Sequence, residues 1–216
     1  MLSATDDPAL QLLAAQRFVF ERVPKPPAVP LHTTGAKREG RIKLGYLSGD
    51  LHLHAVGLLT PELFELHDRS RFEVWAFCWT PESQQPAFHK QRQRILRALD
   101  HHVRLGGVDD STAAKLIAQA GIDVLVDLQG LTSGARPGIL VQRPAPVQVN
   151  FLGYTGTMGA PYIDYIVADR VVIPDEERAH YLECVVHLPD SFQVNDAGRR
   201  IADDTPSRRA ASCRRS

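Results

Sequence analysis

The 216-residue sequence contains no run approaching the ~20 consecutive apolar residues that a membrane-spanning helix requires. It has no surplus of charge: 25 Lys+Arg against 25 Asp+Glu leaves a formal net charge of zero. That argues against duplex nucleic acid as a partner, since phosphate binding draws on excess cations. Cysteine is scarce, and Cys78, Cys184 and Cys213 form no C-x-x-C pair, so reduced thiols are expected rather than a disulfide framework. The opening Met1-Leu2-Ser3-Ala4-Thr5-Asp6-Asp7 lacks the basic start and apolar block of a secretory signal, which predicts a cytoplasmic location. Neither G-x-G-x-x-G after the first strand nor G-x-x-x-x-G-K-[ST] occurs, so dinucleotide and P-loop readings lose support. No repeat of roughly 20–50 residues is present.

What is present is globular. Hydrophobic residues make up 44% and charged residues 23%, and a chain of this length can bury roughly 70% of its unfolded surface without a metal or disulfide staple. Residues 3–22 read as one amphipathic helix capped by Ser3 or Thr5, with Leu10, Leu13, Ala14, Arg17 and Phe18 largely on one face. Pro24, Pro26, Pro27 and Pro30 make 23–40 an extended linker. From Arg41 onward strands alternate with helices. Strands are predicted at 42–47, 72–79, 103–105, 122–128, 146–151 and 164–169, and helices at 56–66, 85–99, 111–120 and 135–142. The run Ile122-Asp123-Val124-Leu125-Val126-Asp127-Leu128 is apolar enough for burial on both faces, as in a parallel sheet. The expected fold is therefore α/β, a doubly wound, mostly parallel Rossmann-like sheet over residues 41–197. Residues 198–216, rich in arginine and poor in large apolar side chains, are expected to be a disordered tail.

In such a sheet ligands gather beyond the carboxyl ends of the strands, which selects three loops. In 48–57, Asp50 and His54 lie beside the start of a helix; a carboxylate and an imidazole there can share general-base work. Spacing alone favours the plainer alternative, in which Asp50 caps the helix and His54 is a packed turn residue. A metal site at His52 and His54 has little support, because no nearby segment supplies matching ligands. In 129–136, two glycines with Thr132 and Ser133 suit a phosphate or a sugar, or an ordinary turn. In 152–161, Gly153, Gly156 and Gly159 fit either close backbone approach to a ligand or a tight surface loop.

Taken in order, several segments resemble the catalytic region of O-linked N-acetylglucosamine transferases, including SPINDLY-type proteins. They are Arg41–Asp50 followed by His54-Ala55-Val56-Gly57, then Asp68–Val74, Gly121–Leu128 and Arg143–Val149. Leu152-Gly153-Tyr154-Thr155-Gly156-Thr157, Asp164-Tyr165 and Leu188–Phe192 complete the series. Residues 3–22 resemble the helical region that joins that family's tetratricopeptide repeats to its catalytic part. The resemblance implies one lobe of a two-lobed GT-B enzyme that moves N-acetylglucosamine from UDP to Ser or Thr hydroxyls of proteins, inverting the anomeric carbon, with no metal or other cofactor. It assigns Asp50 and His54 to acid–base and substrate-contacting positions. Ala55, Val56, Leu152, Gly153, Tyr154, Gly156 and Thr157 fall at substrate-binding positions. Two prolines of the family pattern are replaced here, by Ala55 and Thr155, which loosens both loops.

The resemblance also places the UDP-binding lobe after Phe192, where only the arginine-rich stretch follows. The expectation is a truncated product, by a frameshift near residues 197–209, with no sugar transfer by residues 1–216 alone; a natural disordered tail on a stand-alone domain is the alternative. Self-association through the face left by the missing lobe is expected as well. The alternative is a non-catalytic Rossmann-like module that binds a nucleotide or a protein; a sugar-nucleotide epimerase of similar fold has no motif in its favour.

Overall fold

The computed structural model describes residues 5–32, 40–80, 82–199, 201, 203 and 205. After helix α1 (Pro8–Arg22) the chain alternates β1 (Ile42–Ser48), α2 (Ala55–Leu59), α3 (Pro61–Glu65), β2 (Phe72–Cys78), α4 (Pro86–Arg97), β3 (His101–Arg104) and α5 (Asp110–Ala120). It continues with β4 (Val124–Asp127), α6 (Pro137–Leu140), β5 (Val147–Phe151), β6 (Tyr165–Ala168), a 3-10 turn over Asp175–His180, and β7 (Cys184–His187). All strand pairs are parallel and the order is β3-β2-β1-β4-β5-β6-β7. The expected doubly wound Rossmann-like sheet is what forms. Winding reverses between β1 and β4, and the crevice at such a reversal is where this architecture binds ligands.

Burial on both faces follows from alternation along the strands. Leu47, Phe77 and Leu125 pack on one side with Ile117 of α5 and Ile139 and Leu140 of α6. Tyr46, Ala76 and Val126 pack on the other with Phe64 of α3 and Ile95 of α4. Strands sandwiched in this way cannot slip by one residue without turning core side chains into the opposite layer.

Four sequence expectations change. The helix foreseen over 56–66 is two, because Pro61 has no N–H to donate to the preceding turn and starts α3 afresh. Helix α1 begins at Pro8 with Asp7 as its cap, the carboxylate accepting from the Ala9 and Leu10 N–H groups, so Thr5 does not cap it and Ser3 lies outside the described residues. Its stripe does not enter the core: Leu10 and Leu13 are 51% and 61% exposed, and only Ala15 is buried. Strand β7 was not foreseen, since an edge strand with Val185 as its one buried residue leaves no apolar run to read.

The segment after β7 folds back over the sheet. The Phe192 N–H donates to Asp169 (2.9 Å), and Arg94 pairs with both Asp196 (2.6 Å) and Glu65 (2.8 Å). Of the linker, residues 33–39 lie outside the described residues; of the arginine-rich tail, so do 200, 202, 204 and 206–216, where its expected disorder falls. Among the described residues no helix is long and apolar enough to cross a membrane.

Candidate active site

At the β1/β4 reversal lies a cavity of about 200 Å³ lined by Asp50, His54, Val56, Leu128, Thr132, Ser133 and Gly153. Each of the three loops selected by the strand-end rule contributes to it. No lysine or arginine is among the described residues lining it, and Asp50 supplies a carboxylate. A wall of this charge suits hydroxyl and amide groups better than a diphosphate.

The loop after β1 is folded tightly. The His52 N–H donates to the Asp50 carbonyl and the His54 N–H to the His52 carbonyl, both at 2.8 Å. Gly57 of α2 permits this coil: a β-carbon there would stand 2.7 Å from the Asp50 carbonyl oxygen and closer still to that of His52. Asp50 consequently lies between two imidazoles, His54 Nδ1 at 3.6 Å and His52 Nε2 at 4.0 Å. The helix cap is His54, whose Nδ1 accepts from the Val56 N–H at 3.4 Å. Of the two sequence readings, Asp50 as a cap is therefore not what forms. His52 stacks on Phe88 with ring centroids 4.8 Å apart, and burial lowers its pKa below the ordinary imidazole value, with Asp50 opposing.

A single Nδ1 cannot serve both of its neighbours at once. Bare, it accepts from Val56. Protonated, it donates toward Asp50 and leaves Nε2 bare as a base. In the structure Nδ1 accepts from Val56, and the Asp50 carboxylate stands just beyond hydrogen-bond distance of it.

The wall after β4 rests on Asp127, which is buried and accepts from the Gln129 N–H (3.1 Å) and the Gly130 N–H (3.0 Å). Burial pushes its carboxyl up to about 7, those two hydrogen bonds opposing. The loop after β5 opens at Leu152, a non-glycine residue at φ 70°, where the left-handed backbone costs of order 1 kcal/mol. Gly153 follows it, and a β-carbon at that position would overlap the Leu128 carbonyl.

Of the residues picked from sequence, the structure brings Asp50, His54, Val56 and Gly153 together around the cavity. Ala55 is exposed beside it, and Leu152 packs into the α3/α4 side of the core. Tyr154 lies against Gly130, with its pKa raised by burial. Gly156 accepts from Asn150 Nδ2 through its carbonyl (3.3 Å). Thr157 faces inward: its hydroxyl donates to buried Glu183 at 2.6 Å, and the other Glu183 oxygen accepts from the Met158 N–H at 2.5 Å. Gly159 serves α1 rather than a ligand, since a β-carbon there would stand 2.6 Å from the Gln16 nitrogen. The sequence around Thr132 and Ser133 suits either a ligand or a turn, and both line the cavity. Leu128 was missed; nothing marks one strand-terminal leucine among many. Among the described residues no group of three or more His, Cys, Asp or Glu is placed to hold a metal ion.

The sequence profile of glycosyl transferase family 41 matches residues 20–204. The chain is 36% identical over 194 residues to a protein of Arabidopsis thaliana named probable UDP-N-acetylglucosamine–peptide N-acetylglucosaminyltransferase SEC, covering 88% of this chain and 19% of that one. It is 34% identical over 178 residues to the UDP-N-acetylglucosamine–peptide N-acetylglucosaminyltransferase of Caenorhabditis elegans, covering 82% of this chain and 15% of the relative. Among solved structures, a mutant of the Thermobaculum terrenum O-GlcNAc transferase superposes with a TM-score of 0.78 at 29% identity, covering 88% of this chain and 36% of that one. The chain thus spans about a fifth or less of the length of these two curated relatives.

Proposed function

The chain belongs to glycosyl transferase family 41, and from that premise we propose that its sheet supplies the sugar- and acceptor-facing wall of a cleft that transfers N-acetylglucosamine from UDP to Ser or Thr hydroxyls. The observation that carries this reading is the Asp50–His54 pair, 3.6 Å apart, on the rim of a cavity shared with Thr132, Ser133 and Gly153. In the proposed step His54 Nε2 takes the acceptor hydroxyl proton as that oxygen bonds to the anomeric carbon, and the bond from that carbon to the UDP oxygen breaks. Asp50 holds the Nδ1 proton and offsets the imidazolium charge. A hydroxyl is a poor nucleophile until its proton can leave, so a base at this point assists its attack.

The cavity is smaller than the ~300 Å³ at the low end of ligand pockets, and it lacks a cation for the diphosphate. Both features support a single wall, with the nucleotide held by a second one. Titrating the 15N-labelled chain tests this. UDP-N-acetylglucosamine should shift the Val56, Thr132, Ser133 and Gly153 amides, UDP alone should leave them in place, and His54→Phe should weaken the response. Shifts elsewhere, or equal shifts with UDP, would reject the reading in favour of a nucleotide-binding module.

A cytoplasmic location and self-association through the same rim belong to this proposal, and fractionation and sedimentation test them. Among the described residues, Leu53 alone of the exposed large apolar side chains stands on the three loops that border the cavity.

A further inference from the structure

We propose that Gln129 is the positioning residue that sets the width of this cleft, an inference that rests on the donor reading above. Gln129 lies just past β4 and is 2% exposed, yet each of its polar atoms is engaged. Its Oε1 accepts from the Gly49 N–H at 2.8 Å, and its Nε2 donates to the Ser133 carbonyl at 3.1 Å. Its backbone N–H donates to Asp127, and its carbonyl accepts from the Thr132 hydroxyl at 2.8 Å. One side chain therefore ties the Ser48–Gly49 peptide, one residue before Asp50, to the wall carrying Thr132 and Ser133.

Gly49 is also closely approached by Trp79. A β-carbon at Gly49 would stand 2.6 Å from Trp79 Nε1, and that Nε1–H donates to the Gly134 carbonyl at 3.1 Å. Trp79 and Gln129 thus both adjoin Gly49, and both bond carbonyls of the 133–134 turn. Because Asp50 follows Gly49 directly, a shift of that residue alters the 3.6 Å Asp50–His54 separation.

The chemistry selects the residue type. The position needs one acceptor and one donor on a single planar group, which an amide provides. Glutamate keeps the acceptor but sets an oxygen against the Ser133 carbonyl, and asparagine is one methylene too short to span both loops.

Two variants separate positioning from bulk stability. Gln129→Met keeps length and volume and removes both ties; Gln129→Glu keeps the tie to Gly49 and cuts the one to Ser133. In Gln129→Met the Gly49 amide should exchange about tenfold faster, with the Tyr46 and Leu47 amides of β1 unchanged, and UDP-N-acetylglucosamine affinity should fall about tenfold. In Gln129→Glu the Gly49 protection should persist while affinity still falls. A folded Gln129→Met with wild-type affinity, or with Gly49 protected as before, overturns the proposal, and this pair decides even if the glutamate variant does not fold. A wild-type chain that ignores UDP-N-acetylglucosamine rejects the donor reading instead, and Gly49 exchange then decides the clamp alone.

Discussion

Asp127→Asn should change the sign of its effect on stability across the pH range. In the folded protein Asp127 keeps its proton up to about 7, while its ordinary value is 3.8. Between those values the folded state binds one more proton than the unfolded chain, so the contribution of Asp127 to stability falls as pH rises through that window and levels off above it. A displacement of that size corresponds to roughly 4 kcal/mol. Asparagine carries no charge to desolvate, but its NH2 opposes one of the two N–H groups of Gln129 and Gly130 that the carboxyl now accepts from. Leaving a buried donor without an acceptor costs about 1–3 kcal/mol at every pH. At about pH 4 the wild type should therefore be the more stable protein. At about pH 8 the variant should lead by roughly 1–3 kcal/mol. For a chain of this length each kcal/mol moves the melting temperature by about 2–4 °C, so the difference in Tm should swing by roughly 8–16 °C. Thermal melts of both proteins across the range measure it, and the subtraction removes other groups that titrate, such as Glu183 and His52. A difference in Tm that stays constant with pH would refute the reasoning.

Gly57→Ala should cripple the cleft more than the fold. The new β-carbon meets the carbonyls of Asp50 and His52, at an overpacking cost of about 1–3 kcal/mol, while alanine returns about 1 kcal/mol of helix propensity. The Tm should drop by a few degrees and the amide response to UDP-N-acetylglucosamine should vanish; an intact response would show that the 50–54 coil is not needed. Glu183→Ala removes the acceptor of the Thr157 hydroxyl and the Met158 N–H, leaving buried donors at about 1–3 kcal/mol each. Limited proteolysis should then cut within 154–159 first, and unchanged resistance there would count against Glu183 as the anchor of that loop.

Some of this protein was readable because the causes are local. Periodicity in Val124–Asp127 and turn residues at strand tips follow from neighbours along the chain, so the parallel sheet and its three rim loops are legible in the sequence. The order of short motifs from Arg41 to Phe192 likewise carried the family. Helix boundaries were less secure: Pro61 sat in plain view, yet the apolar spacing on either side of it hid the break.

What only the tertiary structure decided are matters of approach between distant segments. That Gly159 admits α1, that Thr157 turns inward to Glu183, and that β7 adds an edge all depend on partners far off in sequence. The Gly49–Gln129 bond joins residues 80 positions apart, and no local pattern encodes such a tie. A side chain's polarity states that it needs a partner. Which partner it finds, and hence whether it faces the cleft or the core, is settled only when the strands are laid side by side.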